Sequence, residues 1–411
     1  MTVKSLKKDY FWNTVGVFAQ NAISPLLLIV ITRINGIHDS GLFSFAFSVA
    51  VIFWALGMWG GRTYQVSDTK KEFSSQSYIV LRLMLALVMI VGAVVFALIN
   101  NYDVVKSSIL ISLVLLKAVE SLSDALYGVM QVNNRLYVSG KSLFAKSLIG
   151  IIVFIAIDLL TNDIFYSCLG MLLLNILVVF VYDLPVTNKL ENLRLTASKI
   201  LHHSTGAIEI MRRCAPVFAV IFLAMFSLNI PRYFIDTYHQ EEIGFFGIIA
   251  MPITLMVLFM SFILQPNVVN LSKLYLKNET INFNKIITKI ISITVVFGIV
   301  VFILTATIGV AVLNVVFNVD FSQHWLSLVI IVAGGVINAL VSIFINVLII
   351  MRRIRVQFYI LVATNLLLVF ISILIIPAYG LLGGAFLFLA TNCLQLALLT
   401  IDYKSSTKVS K

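Results

Sequence analysis

From Leu83 to Ile99 the chain reads LMLALVMIVGAVVFALI, without one charged or hydrogen-bonding side chain. An α-helix needs about 20 such residues to cross the ~30 Å hydrocarbon core of a bilayer. Hydrocarbon offers no partner to the backbone, so a spanning segment must pair its own N–H and C=O groups, as a helix does. Comparable runs recur at approximately 11–34, 41–61, 79–99, 107–128, 142–161 and 164–183, and again at 214–231, 243–266, 284–307, 326–350, 356–376 and 380–401. The expected fold class is therefore all-α integral membrane, with about twelve transmembrane helices. The chain is 60% hydrophobic and 11% charged, against roughly 45–50% and 25% in soluble domains. The connections are too short for a sizeable water-soluble domain.

The net charge of +11 does not mark a nucleic-acid partner, because the charges lie between the apolar runs instead of gathering on one soluble face. They set orientation instead. With the N-terminus in the cytoplasm, all of the 29 Lys and Arg residues except Arg33, Lys106, Lys117 and Arg232 fall on cytoplasmic segments. Both termini are then cytoplasmic. The basic start MTVKSLKKDYFW resembles a signal-peptide flank, but the apolar run after it is too long for an h-region and no small-residue cleavage site closes it. It reads as an uncleaved first span.

One feature occurs twice. ITRINGIHDSGLFSFAF (Ile31–Phe47) and the looser IPRYFIDTYHQEEIGFFGIIA (Ile230–Ala250) each end an apolar run with an arginine, Arg33 or Arg232. Each crosses a polar turn and enters the next run through a glycine, Gly41 or Gly244, 203 residues apart (244 − 41). Recurrence at half length points to duplication and to a transporter of paired bundles. The expected division is an N-terminal six-helix bundle at 1–183, a cytoplasmic linker at 184–213 and a C-terminal six-helix bundle at 214–411. Six spans return the chain to its starting side, so the halves are expected to be like-oriented around a central cleft. The linker is basic and weakly amphipathic, and is expected to lie on anionic membrane lipids, with docking of a cytoplasmic partner as the other reading. Residues 309–324 are expected to form a short outer-face helix or loop, or to extend the ninth span.

Signatures of soluble enzymes are missing: there is no GxxxxGK[ST] loop, GxGxxG turn, CxxC or HExxH. No cofactor or metal is implied. Cys168, Cys214 and Cys393 read as small buried hydrophobes, and His202 and His203 as solvated linker residues. The informative groups are ionisable residues inside apolar runs, which are costly there. Lys117, Glu120, Ser121, Asp124 and Gly128 recur at spacings of three and four, so they share a helix face. That face should look into the bundle. Two readings stay open: a static pair, Lys117 with Glu120 one turn away, or a proton carrier. For the second, one cation against two carboxylates leaves Glu120 or Asp124 in excess, which makes these two candidates for ion coupling.

Arg33 and Arg232 either snorkel to the headgroups or border the shared cleft, where a planar guanidinium suits a phosphate. Gln20, Asn21, Asn338, Asn346, Asn365, Asn392 and Gln395 are expected either to hydrogen-bond between helices or to line a polar cavity. Asp158 and Asp183 lie near span ends and are expected at the interface. Pro25, Pro216, Pro252 and Pro266 can kink spans one, seven and eight.

The sequence resembles the polysaccharide-repeat flippases, the O-antigen and capsule exporters of the multidrug/oligosaccharidyl-lipid/polysaccharide exporter superfamily. The resemblance rests on Leu26–Ser48, Gly60–Arg82, Asn229–Pro252 and Ile375–Asn392 in that order, and covers essentially the whole chain. It implies a MATE-like fold in the bacterial inner membrane. It also implies flipping of an undecaprenyl-pyrophosphate-linked oligosaccharide from the cytoplasmic to the periplasmic leaflet, by alternating access and with coupling to an ion gradient. Arg33 and Arg232 match the family pattern as substrate-binding cations. Lys117 joins them, and Glu120 and Asp124 take the coupling role, on the stripe argument alone. Polysaccharide polymerase and chain-length machinery are the implied protein partners. Relatives that flip the peptidoglycan precursor have fourteen spans, two more than here. A drug/cation antiporter of the same fold is the main alternative and would want a carboxylate-dominated cavity. A polymerase or glycosyltransferase would want a large outer loop with catalytic residues, and the longest loop here is cytoplasmic.

Overall fold

The computed structural model describes residues 3–68, 72–193 and 197–409. Of the basic residues used for orientation, Lys70, Lys71, Arg194 and Lys411 lie outside the described residues, as do the side chains of Lys4, Lys7, Lys199 and Lys408 and that of His202. Among the described residues there is helix and no strand. They form two compact units, Met1–Phe218 and Ala219–Lys411.

The first unit is built from α1 (Val3–Ile34), α2 (Ile37–Gly57), the short α3 (Arg62–Ser67), α4 (Ser75–Ile99), α5 (Val104–Val132), α6 (Leu136–Thr161) and α7 (Ile164–Val178). A π-helical turn, Val179–Asp183, continues α7 into α8 (Leu184–Leu190). Local sequence explains the ends. Ser74, Asp103 and Asp163 accept the first free backbone N–H groups of α4, α5 and α7. Asn162 closes α6 in the left-handed conformation (φ 49°), one that asparagine tolerates. Gly36, at φ +93°, makes the turn between α1 and α2. Helices α1 and α6 meet through Gly16 and Gly140, and a Cβ at Gly140 would collide with the backbone of Trp12 and Asn13. Small residues at such a seam let two backbones approach within a membrane.

The boundary between the units falls near the middle of α9 (Ala197–Tyr238), whose second half opens the second unit. Then follow α10 (Ile243–Ile249), α11 (Met251–Leu264), α12 (Val268–Leu276), α13 (Thr280–Leu304), α14 (Val310–Phe317), α15 (Trp325–Ile350) and α16 (Ile354–Val409). Pro252 stands where α10 gives way to α11, and Pro266 in the 3-10 turn before α12. Pro25 and Pro216 are carried within α1 and α9. Two helices meet within α16 at Gly380 (φ 50°, ψ −132°), where Glu242 accepts from the backbone N–H of Leu381. Residues 309–317 extend the ninth span: a π turn, Thr305–Gly309, carries α13 directly into α14.

Among the described residues, ten helical segments are long and apolar enough to cross a membrane. Helix α5, 29 residues long, is not one of these ten, because it carries Lys106, Lys117, Glu120 and Asp124. Residues 184–213, expected as a linker, are largely helical among the described residues. Their first part is α8, and their last part belongs to α9, where Ala207, Ile210 and Cys214 pack on Tyr78, Leu81 and Leu85 of α4. The Trp59 indole donates to Met211 O at 2.9 Å and its ring stacks on Phe218. Arg212 and Arg213 stay exposed. His203 is half-exposed and stands 3.2 Å from the Ser74 hydroxyl. Cys168 and Cys214 are buried as expected, but Cys393 is exposed.

Candidate functional site

Helix α5 sets the frame. Its three- and four-residue spacing brings Lys117, Glu120, Ser121, Asp124 and Gly128 to one face, and that face looks into the first unit. Lys117 is 7% exposed and donates to Glu120 at 3.1 and 2.9 Å, with its ammonium 4.8 Å from the Phe47 ring centroid. The amide of Gln20, on α1, donates to the same carboxylate at 3.2 Å. Gly128 leaves the space that the Gln65 side chain fills, and Gln65 donates to Ala125 O.

The expected excess of negative charge on this stripe is not there. Asp124 is held by two arginines, Arg82 at 3.4 Å and Arg62 at 3.7 Å. The buried guanidinium of Arg82 also donates to Gly57 O, and to Trp59 O at 2.9 Å. One planar fork thus ties the end of α2 to α5. Both arginines read as cytoplasmic-loop charges in the sequence, because their carboxylate partner lies at least 42 residues away (124 − 82).

A second buried pair went unread in the sequence. Lys146 of α6 and Asp183 of the π turn stand 2.5 Å apart, with side chains 5% and 0% exposed. Ser142 donates to Asp183 at 2.6 Å, Lys146 donates to Ser123 at 2.8 Å, and the Tyr127 hydroxyl is 3.0 Å from Ser142. Asp183 is thus buried inside the first unit, and so is Asp158, which lies between Asn35 and Ser167. The π turn explains Asp183, because an extra residue in one turn rotates the helix face that follows. A run of apolar letters gives no sign of it. The available clue was that Lys146 and Asp183 are both ionisable groups inside predicted spans.

These groups surround one cavity of about 70 Å³. Glu120, Asp124 and Arg62 line it together with Gln20, Lys146 and Asn175. At roughly 15 Å³ per water, it holds a few water molecules or a small cation, and is far too small for a sugar. Lys117 reaches it through its partner Glu120. The other two sequence candidates lie elsewhere. Arg33 is exposed in the last turn of α1. Arg232, within α9, is partly buried, with its guanidinium 5.5 Å from the Phe246 ring centroid and no acceptor for its Nε–H. In the second unit, the polar residues expected within spans bond inside the unit: Asn338 donates to Asn392 at 2.9 Å, Gln395 to Ser227 and Thr364 at 3.0 Å, and Asn365 to Leu223 O at 2.9 Å.

No family model matches the chain. It is 25% identical over 378 residues to the capsular polysaccharide biosynthesis protein CapF of Staphylococcus aureus, covering 90% of this chain and 92% of that one. Among solved structures, the lipid II flippase MurJ in an inward closed conformation aligns with a TM-score of 0.68, at 15% identity, over 98% of this chain and 88% of that one. An inward-facing multidrug-resistance MATE family transporter aligns with a TM-score of 0.66, at 12% identity, over 97% and 100%. The MATE multidrug transporter DinF-BH gives 0.66, at 14% identity, over 98% and 96%. The chain has the MATE-like membrane fold of the MOP-superfamily transporters.

Proposed function

We propose that the chain is a flippase that carries a lipid-linked oligosaccharide, of the undecaprenyl-pyrophosphate kind, from the cytoplasmic to the periplasmic leaflet by alternating access driven by an ion gradient. The observation that carries this reading is the full-length likeness to a capsular polysaccharide biosynthesis protein on a fold shared with a lipid II flippase. Counting α5 and the two arms of α16, the chain crosses the bacterial inner membrane twelve times, with both termini in the cytoplasm. The arginine and lysine distribution supports that orientation.

The physical task fits the parts. A pyrophosphate head must pass ~30 Å of hydrocarbon while its polyprenyl tail stays in lipid. Arg232 keeps an unused donor for a phosphate oxygen, and Arg33 holds the matching position in the first half. The 70 Å³ cavity suits the coupling ion and not the cargo, so Glu120 and Asp124 are assigned to coupling and Lys117 to holding Glu120.

The test is genetic and chemical. Deleting the protein should leave lipid-linked repeat units on the cytoplasmic leaflet. Arg33→Ala and Arg232→Ala should each abolish surface polysaccharide at unchanged protein abundance. Wild-type polysaccharide in both variants would remove these residues from the mechanism. The second reading, a drug/cation antiporter, draws on the fold shared with the multidrug transporter DinF-BH. Efflux of a cationic dye from cells, with polysaccharide unaffected, would select it.

A further inference from the structure

Asp158 lies near the end of α6 and takes no part in the cavity described above. Counting 12 residues from Lys146 at 1.5 Å each, it stands about 18 Å further along the same helix. Its side chain is buried, and residue 158 is 0% exposed. Among the described residues no cation pairs with it. The Nδ2 of Asn35, in the α1–α2 turn, donates to its Oδ1 at 3.1 Å, and the Ser167 hydroxyl stands 3.5 Å from the same oxygen. Its other oxygen, Oδ2, has no donor, and Oδ1 of Asn35 has none either.

Two partners already joined by one hydrogen bond thus each keep one buried oxygen without a hydrogen. One proton satisfies both. A carboxylic acid and a primary amide form a paired ring in which the amide N–H goes to the acid carbonyl and the acid O–H goes to the amide oxygen. A carboxylate in this place would instead leave both of these oxygens, Oδ2 of Asp158 and Oδ1 of Asn35, without a donor from the protein, at the desolvation cost of a buried charge.

The charged surroundings agree. The charged groups that act on Asp158 are Asp39 of α2 and Asp163 at the start of α7, both acidic. Asp39 is engaged with His38 at 3.3 Å, and Asp163 caps Phe165 at 2.8 Å. Cys168 of α7 is buried close by. Arg33 of α1 is exposed, and Lys106 of α5 sits 4.6 and 4.2 Å from the ring centroids of Phe45 and Tyr102.

We propose that Asp158 is a second proton site: it is protonated on Oδ2 in this conformation, closes an acid–amide pair with Asn35, and thereby latches the α1–α2 turn onto α6. On release, the O–H bond breaks, the proton passes to water, and the electron pair stays on the carboxylate. Asn35 is left facing an anion and the turn loosens. The protonation stands on the geometry alone, whereas its use as a step in gradient coupling rests on the flippase reading.

Infrared absorption of the full-length protein in lipid nanodiscs tests it. The wild type should show a protonated-carboxyl carbonyl band at neutral pH that is lost in Asp158→Asn, an isostere of the neutral acid that keeps the fold. The protection of backbone amides 36–40, with the intrinsic rise of exchange with pH divided out, should fall at alkaline pH in the wild type and hold in Asp158→Asn. Identical carbonyl bands in the two proteins would overturn the site, and a lost band without the exchange response would overturn the latch. If Asp158→Asn does not accumulate, Asn35→Ala serves: the band should move to that of a carboxyl lacking an acceptor, and an unmoved band would sink the pair. None of these readouts depends on transport, so a failed flipping assay leaves them intact.

Discussion

Lys146 and Asp183, on two consecutive helical segments of the first unit, bond to each other with almost no exposed surface, and each is bound by a separate serine: Lys146 by Ser123, Asp183 by Ser142. A buried pair of this kind offsets its desolvation only while both partners are present. Lys146→Met or Asp183→Leu alone should destabilise by about 3–5 kcal/mol. The double variant should regain most of that loss. Thermal unfolding in detergent checks it, and additive losses in the double variant would show that the two charges act independently.

Lys117 and Glu120 can be separated from a static pair by exchanging them. The double variant Lys117→Glu/Glu120→Lys keeps the ion pair, so its stability should fall by no more than about 1 kcal/mol. Its cavity wall, however, would present a cation where Glu120 now stands. Surface polysaccharide should be lost. Full export by the exchanged protein would return Lys117 and Glu120 to a structural role.

Arg82 should not tolerate lysine. Its guanidinium serves two carbonyls and a carboxylate at once, a fan that a single ammonium on a flexible stem cannot reproduce. Arg82→Lys should cost about 1–3 kcal/mol for a buried acceptor left unpaired. Asp124→Asn should cost less, because Arg82 keeps both carbonyls. The melting temperatures of the two variants, compared side by side, decide the order.

Gly140 and Gly150 lie on the same helix and should respond oppositely to a side chain. At Gly140 a Cβ meets the backbone of Trp12 and Asn13, which cannot yield without moving α1. At Gly150 a Cβ reaches Met171 at an ordinary 3.5 Å. Gly140→Val should lose about 1–3 kcal/mol or more through overpacking, whereas Gly150→Ala should be near neutral. Monodisperse yield on size exclusion gives the comparison, and equal behaviour of the two would refute the close α1–α6 approach.

Residue order was enough to establish the membrane class, most of the long helices and the inward stripe of α5. Length, apolarity and the 3.6-residue period are local quantities, and lipid leaves a helix no competitor. Apart from Lys117 with Glu120 one turn away, the partners of the buried charges were not local. Glu120 meets Gln20, Asp124 meets Arg62 and Arg82, and Lys146 meets Asp183, across separations along the chain that no spacing rule contains. The balance on the stripe therefore came out wrong when it was counted along one helix. Asp183 depended on a single π turn and Asp158 on the α1–α2 turn that brings Asn35 to it. Chemistry and period chose which residues face inward; packing in three dimensions chose which of them meet, because a buried charge is stabilised by whatever lies within a few ångströms of it and not by its neighbours in sequence.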